Sequence, residues 1–260
     1  MLHAPVRQTY EHMDQILRNY IKTFLGYGNF IKPFWFIGME EGGGNNWGEL
    51  ELRFNTWHRL GAKPIEDLRT FLVEIGQKKW FEPPVRLQST WCRLIRVYLG
   101  AERDYPINLD KIRDFQANRL GRNIEIPGPC IFELMPLPAP STKFWPYKHL
   151  AANPNLVFLA NRNTYANKIT PQRIKLLNDS NDSIQRHQPK VVCFYGFEYL
   201  EHWHKLAGAV LQRHELPDNV GGFYSARQNG TFFVAMNHPA RIGIKNAYFD
   251  AIGRVIADQM

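Results

Sequence analysis

The chain has 260 residues, 44% of them hydrophobic, which is enough to bury a sizeable core and close to the upper size of one compact domain. Its 32 Lys and Arg outnumber its 24 Asp and Glu, and the resulting charge of +8 permits a nucleic-acid partner without requiring one. Three isolated cysteines argue against a disulfide framework or a zinc site, and the apolar runs are too short for a signal peptide or a membrane span.

Hydrophobic periodicity predicts strands and helices that alternate along the chain. In chain order, the predicted elements are a helix at about 8–26, a strand at 34–37, helices at 64–75 and 87–98, a strand at 130–134, a helix at 171–188, a strand at 191–195, a helix at 198–213, a strand at 232–236 and a helix at 246–258. Two segments, 105–129 and 138–181, are rich in loop-forming residues, and we interpret them as loop-rich insertions.

This alternation predicts a parallel sheet that is covered by helices on both faces. We therefore expect residues 1–260 to form a single α/β domain, a three-layer α/β/α sandwich around a central, mostly parallel four-stranded sheet. In such sheets ligands bind beyond the carboxyl ends of the strands, so the residues that follow each strand are the candidates for function. We also expect a cytoplasmic monomer that needs neither a metal nor a cofactor.

The first predicted strand is followed by Gly38-Met39-Glu40-Glu41-Gly42, and two further glycines come next. Glycines allow positive φ angles and a close approach of the backbone to a ligand, while the two glutamates place carboxylates where a pocket should open. An acidic turn that simply faces solvent has the same composition. The pattern is therefore a weak signal when it is taken alone.

A carboxylate and a proline-rich loop follow the second predicted strand. Glu133 stands at the predicted strand end, and the loop after it carries Ser141 and Lys143. Proline-rich loops hold an extended shape that is suited to a phosphodiester backbone, and these two side chains are able to contact phosphate. An ordinary strand exit is the alternative interpretation.

The fourth predicted strand leads into Asn237-His238-Pro239. The proline fixes the turn and so orients the imidazole of His238. A lone histidine near a strand end is more often structural than catalytic. The predicted fold, however, places His238 at the same sheet edge as Glu40 and Glu133.

In order and spacing, these motifs resemble the uracil-DNA glycosylase superfamily, over the chain from about residue 34 onward. The first motif is similar to the form Gly-Met-Asn-Pro-Gly of the single-strand-selective branch, with Glu40 and Glu41 in place of Asn and Pro. Aligned on the prolines of the middle motif, Glu133 replaces the family's Asn that reads the uracil edge. The last motif, His-Pro-Ser in the family, is His-Pro-Ala here, and Arg241 stands where the family places a residue that wedges into the duplex.

The resemblance implies a DNA glycosylase that acts on a nucleotide flipped out of the base stack. Breaking the N-glycosidic bond builds positive charge on the sugar and negative charge on the base. Glu40 or Glu41 would handle the water near the sugar, and His238 would donate to the base. Trp47 would supply a stacking face, although a core tryptophan is an equal alternative. The remaining expected contacts are Gly38, Met39, Gly42, Glu133 and Asn237 to the nucleotide, and Ser141, Lys143, Arg241 and Lys245 to the DNA.

Glu133 makes the expected substrate differ from uracil. Asn both donates and accepts hydrogen bonds, whereas an ionised Glu only accepts and would be repelled by uracil O4. A base with an exocyclic amino donor fits better, so we expect a cytosine that is modified at its 5-position. The superfamily includes phage-defence glycosylases that act on such bases, and base excision repair is the other expected setting.

Two other classes of function remain open. A metal-dependent hydrolase of nucleosides or nucleotides would use Glu40 and Glu41 as ligands, and it would be sensitive to chelators. A non-catalytic DNA-binding module of the same fold would bind DNA tightly and release no base.

Overall fold

The computed structural model describes residues 4–260, and this part of the chain contains nine α-helices. The helices are α1 Ala4–Thr23, α2 Trp47–Arg59, α3 Leu68–Glu74, α4 Ser89–Ala101, α5 Leu109–Asn118, α6 Arg162–Asp179, α7 Ile184–His187, α8 Leu200–Ala207 and α9 Asn246–Ala257. Short 3-10 helices span Lys78–Trp80, Lys148–Ala152, Pro154–Ala160, Phe197–Tyr199 and Pro217–Asn219. Within the described residues, no helix is both long and apolar enough to cross a membrane.

The strands form one mixed sheet of eight strands in the order β3-β1-β4-β2-β5-β8-β7-β6. They are β1 Gly26–Tyr27, β2 Phe34–Glu40, β3 Ile65–Glu66, β4 Cys130–Met135, β5 Val191–Tyr195, β6 Gln212–Glu215, β7 Gly222–Gln228 and β8 Thr231–Met236. The α/β class and all four predicted strands, now β2, β4, β5 and β8, are confirmed.

The central, mostly parallel four-stranded sheet that was predicted is not confirmed, because the sheet is larger and mixed. β2, β5 and β8 pair in parallel, but β7 runs antiparallel to both β8 and β6, which makes the sheet mixed. The added strands are too polar or too short for a buried apolar pattern: β6 is exposed along its whole length, and β1 and β3 have two residues each. Tertiary pairing, rather than hydrophobic pattern, makes these segments strands.

Several predicted helices also have different bounds. The segment predicted as one helix at 64–75 is divided between β3 and α3, and the one at 198–213 becomes α8 and β6. α8 stops because Gly208 adopts a left-handed conformation with φ of 63°. Neither α2 nor α5 was predicted; α5 lies inside the expected loop at 105–129, and the whole of α6 lies inside that at 138–181.

By its contacts the chain falls into two compact units, and the expected single domain stays a prediction. Unit 1 contains residues 4–26, 40–65 and 133–173, and unit 2 contains 27–39, 66–132 and 174–260. An aromatic cluster fills the core of unit 1, where the ring of Tyr20 stacks on Phe24 at 4.6 Å and meets Trp57 edge-on at 5.1 Å.

Unit 2 contains most of the sheet together with α4 and α9, which pack closely on each other. A Cβ added at Gly253 would lie 2.7 Å from the carbonyl oxygen of Val97 and 2.9 Å from the Cα of Gly100. The two glycines therefore allow the backbones of these helices to approach.

Candidate functional site

In unit 2, Tyr195 links the carboxyl ends of three parallel strands. β5 and β8 are in a register that pairs Tyr195 with Met236, two residues before His238. A Cβ added at Gly38, on β2, would lie 2.2 Å from the Tyr195 ring, and that ring meets His238 edge-on with 5.5 Å between centroids. Gly38 is therefore required for the packing that positions His238.

The ring of His238 is half-buried and has a defined hydrogen-bonding direction. Its Nδ1 accepts a hydrogen bond from the backbone N–H of Ala240 at 3.0 Å. Because a neutral imidazole carries one proton, that proton is on Nε2, which is then a donor. Burial lowers the pKa of His238 below its ordinary value, while the charge of Glu198 opposes this shift. Near pH 7 the side chain is thus a neutral donor.

Arg93, on α4, holds the loop that follows His238. Its guanidinium donates to the carbonyl oxygen of Pro239 and, at 2.9 Å, to that of Ile244. Between these two points lies Ile242, whose side chain is 97% exposed. The loop is therefore anchored on both sides of an apolar tip that faces solvent.

The polar residues of this loop are partly engaged with one another. Asn237 is buried; its backbone N–H donates to the Tyr248 hydroxyl at 2.9 Å, and its side-chain oxygen accepts from Arg241 at 3.1 Å. Lys245 is exposed at the N-cap of α9. Asn237 thus stabilises the turn, while Lys245 faces solvent.

In unit 1, Glu40 is paired with Arg162, the first residue of α6. The guanidinium contacts both carboxylate oxygens and donates to the carbonyl oxygen of Ser141 at 2.8 Å and to that of Phe144 at 3.3 Å. It also lies 5.2 Å from the ring centre of Trp145. One side chain therefore joins the carboxylate to the proline-rich loop.

The environment of Glu40 shifts its titration toward neutral pH. Burial raises the pKa of Glu40 above its ordinary value, and the charge and hydrogen bond of Arg162 oppose that effect. A carboxylate with a raised pKa is a stronger base once it is ionised. Glu40 is therefore the carboxylate of this loop that is suited to accept a proton from water.

We expect Arg162→Ala to raise the pKa of Glu40 further. The variant lacks the cation whose charge and hydrogen bond lower that pKa. Arg162→Lys keeps the charge but loses the second guanidinium nitrogen, which holds the carbonyl oxygens of Ser141 and Phe144, and it should raise the pKa of Glu40 less. NMR titration of the Glu40 side-chain carboxyl group checks this prediction, and an unchanged pKa in both variants would contradict it.

Glu41 has a different environment from its neighbour. Its carboxylate pairs at 2.7 Å with Arg53, a residue of α2 that is only 3% exposed. The backbone carbonyl of Glu41 accepts from the N–H of Ala139 at 3.0 Å. Glu41 thus balances a buried cation, which is a structural role.

We expect Glu41→Gln to destabilise the protein by about 2–3 kcal/mol. Removing one partner of a fully buried ion pair costs about 3–5 kcal/mol, and the partial exposure of Glu41 lowers that figure. Urea denaturation of the variant checks the prediction, with Glu51→Gln as the control. A variant as stable as the wild type would contradict the structural role of Glu41.

The glycine-rich loop folds back on the first turn of α2. Gly43 and Gly44 have φ angles of 131° and 77°, which other residues rarely adopt. The carboxylate of Glu49 accepts from the N–H groups of Gly44 at 3.2 Å and Asn45 at 3.1 Å. Gly42 is exposed and has open space around it. The positive φ angles expected of these glycines are confirmed for two of the three.

Trp47, at the start of α2, is half-buried, and its ring meets that of His149 edge-on at 4.8 Å.

Glu133 is buried within β4, which continues to Met135. The carbonyl oxygen of Glu133 accepts at 3.2 Å from Arg173, whose pKa burial lowers to about 10. β4 therefore ends at Met135, two residues beyond Glu133, where the end of the strand was expected.

The predicted site residues are divided between the two units. Glu40, Glu41, Gly42, Trp47, Glu133, Ser141 and Lys143 belong to unit 1, and Gly38, Met39, Asn237, His238, Arg241 and Lys245 belong to unit 2. Sequence reasoning missed Arg162 and Arg93, which lie 122 and 146 residues from the groups they hold. Among residues 4–260, no group of three or more His, Cys, Asp and Glu side chains has the geometry to hold a metal ion.

Comparison with known proteins finds no relative: no family model, curated protein or solved structure matches this chain. The membership of the uracil-DNA glycosylase superfamily that the motifs suggest therefore stays a prediction.

Proposed function

We propose that this protein is a DNA glycosylase that hydrolyses the N-glycosidic bond of a flipped-out pyrimidine and leaves an abasic site. The observation that carries the proposal is the hydrogen bond from the Ala240 N–H to Nδ1 of His238, which places the proton of the neutral ring on Nε2. A departing base accumulates negative charge, and a fixed N–H donor stabilises that charge in the transition state. The Tyr195 ring packs against Gly38 on one strand and meets the His238 ring, and this packing supports a fixed position of the donor.

Glu40 has the second role in this mechanism. As an ionised carboxylate it accepts a proton from the attacking water and stabilises the positive charge that develops on the sugar. Its contact with Arg162 limits the directions that the carboxylate can take. The pKa of Glu40, raised by burial, supports its assignment as the base.

We propose a 5-modified cytosine as the base that is released. When it is ionised, Glu133 offers only acceptors, and the exocyclic amino group of cytosine offers a donor. Its burial supports this role, because a hydrogen bond formed away from water discriminates strongly between bases.

The loop after His238 supports contact with DNA. Ile242 is exposed between Arg241 and Lys245, which are cations that suit phosphate. Apolar side chains at such positions insert between base steps and help to displace a nucleotide. We therefore propose that Ile242 inserts into the stack, while Arg241, whose guanidinium is bonded to Asn237, supports the turn.

The test is mass spectrometry of the bases released from a panel of oligonucleotides. The panel contains uracil, cytosine, 5-hydroxymethylcytosine and glucosylated 5-hydroxymethylcytosine, each in single strands and in duplexes. We expect release from the modified cytosines, together with alkali-sensitive abasic sites at the same positions.

Other outcomes would overturn parts of the proposal. Release of uracil alone would contradict the role of Glu133, and DNA binding without any base release would contradict a glycosylase. Hydrolysis of free nucleosides that is abolished by a chelator would indicate a metal-dependent hydrolase instead.

A further inference from the structure

The segment between Glu133 and Asp179 contains no Asp or Glu, although the whole chain has 24 of them. Its cations within unit 1 are Lys143, Lys148, Arg162, Lys168 and Arg173. The three lysines are exposed. This segment therefore supplies cations and no acids of its own to unit 1; Glu40 neutralises Arg162, and the three exposed lysines favour an anionic partner.

Within this segment, Phe144 is 45% exposed on a loop that is firmly held. On one side of it, Arg162 binds its carbonyl oxygen and that of Ser141. On the other side, the indole N–H of Trp145 donates to the carbonyl oxygen of Leu159 at 2.7 Å. The loop therefore presents an aromatic ring to solvent from a fixed backbone, directly after Lys143.

A second aromatic group lies at the other end of the same loop. His149 is exposed, and its ring meets the half-buried Trp47 edge-on at 4.8 Å. Lys148 is exposed beside it. The buried Tyr147 holds this end of the loop in place, because its hydroxyl donates to the carbonyl oxygen of Pro138 at 2.7 Å. A lysine and an aromatic ring thus occur together at both ends of the loop.

We propose that residues 141–149 and Trp47 form a binding surface for single-stranded DNA. Bases stack on Phe144 and on the Trp47–His149 pair, and Lys143 and Lys148 contact the phosphates between them. A duplex covers the faces of its bases by stacking, whereas an unpaired strand offers them to aromatic side chains. The choice of DNA rests on the proposed function; the preference for an unpaired strand rests on this surface.

The test is fluorescence anisotropy with a labelled, unmodified DNA strand of about 12 nucleotides, a typical length for such surfaces. We expect the wild type to bind the strand more tightly than the matching duplex. Phe144→Ala should weaken strand binding about tenfold, since one base–aromatic stack is lost. Phe144→Trp should restore it. Val157→Ala, which removes another exposed apolar side chain of unit 1, should bind like the wild type.

The salt dependence of binding tests the lysines separately. Lys143→Ala and Lys148→Ala should each lower the slope of log K against log salt by about 0.7, the value for one phosphate contact on a single strand. Lys175→Ala serves as the control, because Lys175 is on the same acid-free segment but in unit 2, where it pairs with Asp179.

Several results would overturn the proposal: equal strand binding by Phe144→Ala and wild type, tighter binding of the duplex, or tighter binding of an RNA strand of the same sequence. These results can be distinguished from results that contradict the proposed function. A protein that binds the strand through Phe144 and releases no base contradicts the glycosylase alone. Base release that is unaffected by Phe144→Ala, with unchanged strand binding, contradicts the binding surface alone.

Discussion

The Glu40→Gln protein is expected to release base about 10²–10⁴ times more slowly than the wild type, the usual contribution of a general base. Gln preserves the size of the side chain, and its amide oxygen still accepts a hydrogen bond from Arg162, but it does not take a proton from water. The measurement is single-turnover base release at saturating enzyme, which separates the chemical step from binding and product release.

A stability measurement distinguishes this loss of rate from unfolding of the Glu40→Gln protein. Because burial raises the pKa of Glu40, the folded state binds its proton more tightly than the unfolded chain, and stability falls as pH rises through that range. Replacing the carboxylate with a neutral amide removes this cost. The amide also leaves Arg162, whose side chain is 22% exposed, without its anionic partner, so thermal unfolding near pH 7 should show a folded Glu40→Gln protein with a stability close to that of the wild type.

The pH profile and a matched variant complete the test. The wild-type rate should rise with pH as Glu40 ionises, with a midpoint above the ordinary glutamate value, and the residual rate of Glu40→Gln should lack this step. Glu215→Gln alters an exposed ion pair with Arg213 and should leave the rate unchanged. Full activity in Glu40→Gln would remove Glu40 from the mechanism.

Apolar runs in the sequence predict the central strands of the sheet. The antiparallel edge formed by β7 and β6 has a different sequence signal. β5, for example, is buried at all five positions, which makes it visible as an apolar run. β7 has no such run, yet Asn229-Gly230 joins it to β8 with φ angles of 49° and 84°. Asn-Gly between two short segments indicates a two-residue hairpin, and that signal would have predicted the antiparallel edge.

The helices that were missed also begin with recognisable residues. α2 is capped by Asn46, whose side chain accepts from the N–H of Glu49, and α5 is capped by Asn108 in the same way. An Asn that precedes apolar residues in helical spacing predicts a helix start, and in α2 Glu49, three residues after the Asn, strengthens that prediction. In α2 the glycines before the cap instead indicate a ligand-binding loop, which was the prediction for this segment.

The candidate site was predictable in part. The residue types near the strand ends indicate Glu40, the last residue of β2, and His238, two residues beyond β8, because strand ends are where α/β sheets place their ligands. The pairing of Glu41 with Arg53 and of Glu40 with Arg162 depends on tertiary contacts, so the sequence did not show which carboxylate is constrained by a buried cation. The two adjacent glutamates differ by environment, which only the fold determines.

His238→Ala is expected to lower the rate of base release by about 10²–10³, the cost of removing one donor to a developing anion. His204→Ala is the matched control. The Nδ1 of His204 likewise accepts from a backbone N–H, that of Leu211 at 3.0 Å, but His204 lies on α8. Its loss should leave the rate of the folded protein unchanged, and measuring both variants separates the donor role from a general effect of losing a half-buried imidazole.

The tautomer itself is measurable without any substrate. Long-range ¹H–¹⁵N spectra should show His238 protonated on Nε2 and unprotonated on Nδ1 at neutral pH, because Ala240 donates to Nδ1. Since burial lowers its pKa, the ring should become doubly protonated only at a pH below the ordinary histidine range. That second proton occupies Nδ1 and removes the hydrogen bond from Ala240, so the turn should loosen at the same pH. A proton on Nδ1 at neutral pH would leave Nε2 without a hydrogen to donate and would contradict the role proposed for His238.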